Sequence, residues 1–348
     1  MRWRAGVLAA VCAGAVLGAA AQSVNIQSAA AEFASARQRL AAGEWAVVGD
    51  VHVLDRGALG TWDDFGVGSP IVRKEPDAAG RGARYRMWYV GCHLAMREHR
   101  CGVGHATSLD GVVWEKHPKP VFVPADLNVQ DNLTEIALLK VGARYSLWYS
   151  VAADSSAGRR RATVHLATSP DGLVWADEGP VLEGEGLLPL VIEQSVVHDG
   201  QRFHLWYVTA INRFDAPVLR HLTSDDGKAW VTVSDTPLSA FQPDMADIGR
   251  LSVEAVSGQG FRAWFSLPTH DQRHQSKGLG VMASRDGTTW QWQPQGADPF
   301  TTMLERNGDL RIRAVTAVHE PDGSWVWATL MGAHPHDQCI GVAFRKRR

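Results

Sequence analysis

Residues 144–151, RYSLWYSV, and 164–175, VHLATSPDGLVW, decide how the rest of the chain is read. The first is a short aromatic strand. The second is a strand that runs into a tight turn and ends on a tryptophan. The same pair recurs along the chain. RYRMWYVG (84–91) precedes VGHATSLDGVVW (103–114), RFHLWYVT (202–209) precedes LRHLTSDDGKAW (219–230), and GFRAWFSL (260–267) precedes LGVMASRDGTTW (279–290). A degenerate fifth copy, SWVWATLM (324–331), is followed only by CIGVAF (339–344). The interval is about sixty residues. Short strands separated by Gly and Asp turns at that period are the signature of propeller blades, so the fold class is all-β, a five-bladed β-propeller.

The S-x-D-G-x-x-W motif has a physical account. Asp bonds nearby backbone and Gly tolerates positive φ, which suits a tight turn. Ser108, Ser169, Ser224 and Ser284 are placed to bond the same turns. Trp114, Trp175, Trp230 and Trp290 start the outer strands and are expected to bury area between adjacent blades, as are the paired aromatics of the preceding strands. The fifth unit lacks its outer strand, and Gly43-Glu44-Trp45 resembles the end of a turn motif. Val53-Leu54 follow Trp45 at the spacing with which Phe122-Val123 follow Trp114. Residues 43–54 are therefore expected to complete the last blade and close the ring, removing a free edge.

Composition agrees with a globular domain. The chain has 348 residues, 45% hydrophobic, with 14 Trp, which excludes low-complexity disorder. Lys+Arg at 35 against Asp+Glu at 37 leave a net charge of −2, too balanced for a nucleic-acid binder that relies on phosphate contacts. Arg2 and Arg4, the apolar stretch from Ala5 to Leu17 and Ala19-Ala20-Ala21 read as a secretory signal over 1–21. Residues 22–42 read as a leader or short helix, and 43–348 as a single propeller domain. A secreted or periplasmic monomer that does not stay with the membrane is expected. Export permits a disulfide between Cys92 and Cys101, which flank one hairpin loop, and leaves Cys339 over. No C-x-x-C or H-E-x-x-H spacing supports a zinc site.

The innermost strand of each blade lines the channel, and the candidates are 67–73, 134–140, 192–198, 250–256 and about 311–317. Counting back ten residues from Tyr145 and from Phe203 gives Glu135 and Glu193, two carboxylates in one register on neighbouring blades. Strand periodicity aims both toward the axis. Gly68 and Leu251 hold that register in the first and fourth blades, and Ala314 or Arg313 in the fifth. Four residues earlier lie Asp64, Asp131 and Asp247, with Pro189 in the third blade. Trp62-Asp63-Asp64 puts an aromatic beside two acids, which suits stacking on a sugar face while binding its hydroxyls. Two acids sharing a low-dielectric cavity raise one pKa, and glycosidic cleavage requires a protonated acid beside an ionised partner. The structural alternative is that Glu135 and Glu193 bridge to Arg250 or Arg313. His105 and His221, in one register of the second strands, read as packing between blades.

These units, with the Glu193-Gln194-Ser195 strand start, resemble the five-bladed propellers of the arabinanase–levansucrase–invertase group, glycoside hydrolase family 43 and related families 32 and 130. The resemblance spans about residues 43–344. It implies an Asp base, an Asp that tunes pKa and a Glu acid on the first three inner strands. Glu193 matches the acid and Glu135 the tuning position, as Glu rather than Asp. Gly68 stands where the base is expected, so Asp64, or Asp63, is the substitute from upstream. The resemblance implies a carbohydrate substrate, with Trp62, Asp63, Asp131, Arg250 and Arg313 as binding candidates. No cofactor is called for. Some relatives hold calcium in the channel, and nothing here names ligands for it. Four readings follow: a glycoside hydrolase, a non-catalytic carbohydrate-binding propeller, a phosphorylase with Arg250 and Arg313 near phosphate, and a sialidase-type propeller. The sialidase box has one more residue between Asp and Gly, and that fold has six blades.

Overall fold

The computed structural model describes residues 45–47, 52–76, 80, 82–95, 98–124, 132–154, 160–183, 194–209, 218–240, 251–268, 276–293, 311–332 and 338–346. Five four-stranded antiparallel sheets make a five-bladed propeller. Blade 1 is β2 (Gly66–Pro76), β3 (Ala83–Ala95), β4 (Glu98–Ser108) and β5 (Glu115–Lys116). Blade 2 is β6 (Asn132–Val141), β7 (Arg144–Asp154), β8 (Arg160–Ser169) and β9 (Ala176–Glu183). Blade 3 is β10 (Ser195–His198), β11 (Phe203–Thr209), β12 (Val218–Ser224) and β13 (Val231–Pro237). Blade 4 is β14 (Leu251–Val256), β15 (Gly260–Pro268), β16 (Ser276–Ser284) and β17 (Gln291–Trp292). Blade 5 is β18 (Arg311–Glu320), β19 (Gly323–Met331), β20 (Gln338–Lys346) and, on its outside, the N-terminal β1 (Trp45–Val47).

The ring therefore closes with a strand from each end of the chain. Trp45 pairs with Arg345 and Val47 with Ala343. Further along, Leu54 bridges Ile340, as Phe122 bridges Val103 in blade 1. The signal and leader segments lie outside the described residues.

The turn motif is one hydrogen-bonded device used four times. In blade 1 the Ser108 hydroxyl accepts from the Gly111 N–H at 2.8 Å, while the Asp110 carboxylate accepts from the N–H groups of Val112 and Val113 at 2.9 Å each. Ser169/Asp171, Ser224/Asp226 and Ser284/Asp286 repeat the pattern. Backbone N–H bonds lead the causes that lower the carboxyls of Asp171, Asp226 and Asp286. The turn glycines take φ of 78°, 76°, 74° and 78°, a region that glycine alone enters without cost.

The turns also couple the blades. The Trp88 indole donates to the Gly172 carbonyl of the next blade at 2.8 Å, Trp148 to Gly227 at 2.9 Å, Trp206 to Gly287 at 2.8 Å, and Trp327 of blade 5 to Gly111 at 3.0 Å. These four indoles are almost wholly buried. The outer-strand tryptophans pack edge-on against them, Trp114 on Trp327, Trp230 on Trp148 and Trp290 on Trp206. Each seam thus joins aromatic burial to a satisfied indole N–H, the two requirements of a buried tryptophan. Trp264, at the seam of blades 4 and 5, donates to Glu254 at 3.2 Å.

His105 and His221 belong to this packing. His105 lies edge-on against Trp88, and His221 stacks on Trp206 with ring centroids 4.5 Å apart. Burial, followed by the Arg86 guanidinium, lowers His105 to about 3, and burial, followed by His204, lowers His221 to about 4. Both are held as neutral rings.

Candidate functional site

The five inner strands surround an axial cavity of about 290 Å³. Ile136, Leu138, Val196, Val253 and Val315 line it together with polar side chains such as Ser195, Ser252 and Thr316. Its two ends differ. At the end where β2 and β6 finish, the carboxylates of Glu75 and Glu254 are tied down. Glu75 accepts from Arg73, Arg86 and Tyr145, and Glu254 from Arg262 and contacts His319. Burial raises the Glu75 carboxyl, but Tyr145 and Arg73 outweigh it and hold the group below its ordinary value. Lys74 and Tyr85 meet Glu320 beside them.

The end where the inner strands begin is built differently. Three of these strands shift register there: β2 between Gly68 and Ile71, β6 between Leu133 and Glu135, and β18 between Ile312 and Val315. Such bulges re-aim a side chain and are frequent beside active sites. In β6 the bulge delivers Glu135, which is 5% exposed and lines the cavity. Glu135 pairs across the sheet with Ser150. The Ser150 hydroxyl bonds the Gln194 side-chain oxygen at the entrance of blade 3. Gln194 is 3% exposed, lines the same cavity, and its amide nitrogen has no hydrogen-bond partner among the described residues. A buried donor left unmatched carries a desolvation cost that a ligand oxygen would relieve.

Blade 1 shows why the expected base is absent. A Cβ built on Gly68 lies 3.0 Å from Thr329 Cγ2 and 3.3 Å from its Oγ1, so a side chain there would press on Thr329 of blade 5 and require it to shift. The next residue, Ser69, holds a φ of 50°, and its N–H donates to Thr329 Oγ1 at 2.8 Å. A non-glycine residue in this region stores strain that surrounding contacts must hold.

The Trp62-Asp63-Asp64 loop crosses the end of blade 1 and is not among the residues lining the axial cavity. Asp63, 3% exposed, accepts from Lys116 at 2.7 Å, Thr61 at 3.2 Å and Tyr89 at 3.3 Å. Trp62 stacks on Tyr89 with centroids 5.9 Å apart and leans on Gly91, where a Cβ would collide with its ring at 2.6 Å. These contacts anchor the loop. Asp64 accepts from the Gly60 N–H at 2.7 Å and meets His93 Nδ1 at 2.7 Å. His93 adjoins Cys92, which forms a disulfide with Cys101. The hairpin loop expected between Cys92 and Cys101 is mostly strand among the described residues. The ladder continues through Cys92 opposite Cys101 to Ala95 opposite Glu98.

The structure thus brings Glu135 and Gln194 to one cavity mouth and holds Trp62, Asp63 and Asp64 on the rim of blade 1. Glu193, Asp131, Asp247 and Arg250 lie outside the described residues, as does the Arg313 side chain. Sequence reading missed Ser150 and Thr329. Each stands two residues after the buried tryptophan of its strand and reaches an adjacent blade, and that shared offset was the available signal.

No family model matches the sequence, and no curated protein does. Solved structures do match in fold. A putative glycosidase from Bacteroides thetaiotaomicron superposes with a TM-score of 0.58 at 13% identity, covering 87% of this chain and 97% of its own. The family 32 β-fructofuranosidase of Bombyx mori gives 0.58 at 13%, covering 92% and 67%. A structure from the family 130 mannoside phosphorylases and hydrolases gives 0.55 at 13%, covering 86% and 94%. At these identities the likeness is one of fold: the five-bladed propeller of carbohydrate-active enzymes.

Proposed function

We propose that this protein is exported and acts on glycosidic bonds of a poly- or oligosaccharide bound at the mouth of the axial cavity. One observation carries the reading: a strand bulge delivers the buried carboxylate of Glu135 to the axial cavity that Gln194 also lines, and the Gln194 amide nitrogen has no hydrogen-bond partner among the described residues. A sugar hydroxyl is the kind of group that accepts from such an amide. Glu193, the neighbour of Gln194, protonates the leaving oxygen, and Glu135 keeps the Glu193 pKa up and positions the ring. Asp64 activates water from the blade 1 rim. Separation of acid and base by ~6.5–9.5 Å gives inversion at the anomeric carbon. The disulfide supports export, since such bonds persist in oxidising compartments.

The packing of Thr329 into the space beside Gly68 favours a second reading, a propeller that binds saccharide without cleaving it. Asp64→Asn and Glu193→Gln variants, assayed on every glycoside the wild type cleaves, decide between them. Loss of turnover in both supports hydrolysis. Full activity in both rejects it, and calorimetric binding of a glycan without turnover by the wild type selects the binding reading.

A further inference from the structure

We propose that His52, Asp55 and Cys339 form a binding site for a single zinc-class divalent metal, which clasps the two ends of the chain at the ring closure. One donor atom from each residue lies within 4.8 Å of the others, and His52 Nδ1 is 2.8 Å from Asp55 Oδ1. Donors on a tetrahedral zinc stand about 3.3–3.6 Å apart, from metal bonds of about 2.0–2.3 Å. The cluster therefore needs adjustments of the order of 1 Å, with the His52–Asp55 contact opening and the thiol drawing in. Imidazole, carboxylate and thiolate are all zinc ligands. Together they supply two negative charges, which neutralise a divalent ion.

The backbone around the cluster is fixed. Val53 and Leu54 donate to the Ile340 carbonyl, and the Ile340 N–H donates back to Leu54. His52 and Asp55 thus flank the two residues that dock on β20, directly beside Cys339. Cys339 is 5% exposed and packs with Ile312, Leu330 and Trp264 at the seam of blades 4 and 5. His52 and Asp55 are solvent-exposed, which gives a metal an entry path and a water a coordination position. Of the nearby cations, Lys116 is committed to Asp63 and to the Asp55 carbonyl, and Arg56 reaches the Asp64 carbonyl at 3.4 Å. The metal would crosslink the segment that completes blade 5 to the C-terminal strand it pairs with. That segment runs on into Trp62-Asp63-Asp64, so the clasp also anchors the rim loop.

The test uses the tag-free full chain, stripped with chelator and titrated with zinc or cobalt alone. The proposal expects one equivalent of zinc per chain, a zinc-dependent rise in Tm, and a thiolate-to-cobalt charge-transfer band in the near ultraviolet. Cys339→Ser removes the band, and His52→Gln, at an exposed position with little risk to folding, weakens zinc binding at least about 10-fold. Binding that is equal in wild type and both variants, or cobalt bound without the thiolate band, overturns it. Glycan turnover plays no part in these readouts, so failure here is separate from failure of the glycosidase reading.

Discussion

The four Ser-Asp-Gly turns and the three inner-strand bulges are both repeated irregularities, and they differ in what they hold. Every turn carries the same residues making the same bonds: serine to glycine N–H, aspartate to two N–H groups, glycine carbonyl to a neighbouring indole. The bulges share a place in the fold and not a composition. One holds Gly68 and the strained Ser69 against Thr329, one delivers Glu135, and one lies around Arg313 and Ala314. Identity under repetition marks a framework, because each blade needs the same solution. Divergence at a shared geometry marks a position relieved of that duty and open to a ligand.

Breaking the framework is expected to cost the most stability. Trp148→Ala removes a fully buried indole and its bond to Gly227, and is expected to lower unfolding free energy by about 3–5 kcal/mol in denaturant titrations. An equal loss in Glu135→Gln would erase the distinction between turn and bulge.

Acid should weaken the same framework next. His105 and His221 sit at about 3 and about 4 in the folded chain, against 6.5 when unfolded. Between those values the unfolded chain binds more protons, so stability rises with pH. The contribution is complete above about 6.5 and is lost as pH falls toward 4 and then 3, at up to ~1.4 kcal/mol per pH unit for each group. Urea midpoints measured across that range should fall accordingly, and His221→Gln should flatten the upper part of the slope.

A single turn is worth less. Asp226→Ala frees the Lys228 and Ala229 N–H groups and is expected to cost about 1 kcal/mol, comparable to loss of a helix cap. Asp110→Ala and Asp286→Ala should cost nearly the same, since their bonds are the same. A scatter of several kcal/mol among the three would show that the turns are not equivalent.

This contrast also explains how much was legible in the sequence. Aromatic strands and Ser-Asp-Gly turns are local patterns, so the number of blades could be read directly. The spacing from Trp45 to Val53-Leu54 did the same for ring closure. The channel register placed Glu135 on the correct strand. The bulge that aims it was hidden, because a register shift is set by pairing with a neighbouring strand and not by a local pattern. Ser69 is held by Thr329, which lies 260 residues away. The burial of Asp63 under Lys116 and Tyr89 was hidden for the same reason, since none of these partners adjoins it in sequence. Trp62 and Asp63, read as part of a sugar platform, also hold the rim loop in place.

The central claim is that the bulge in β6 serves a saccharide and not the fold. It is tested most directly by comparing wild type with Glu135→Gln across a library of α- and β-linked oligosaccharides, with products detected by mass spectrometry and Tm recorded for both proteins. The account predicts that wild type shortens at least one oligosaccharide, that Glu135→Gln leaves it intact or slows its cleavage by ~100-fold or more, and that the two proteins melt within a few degrees of each other. Equal cleavage by both, or a variant that no longer folds, would contradict it.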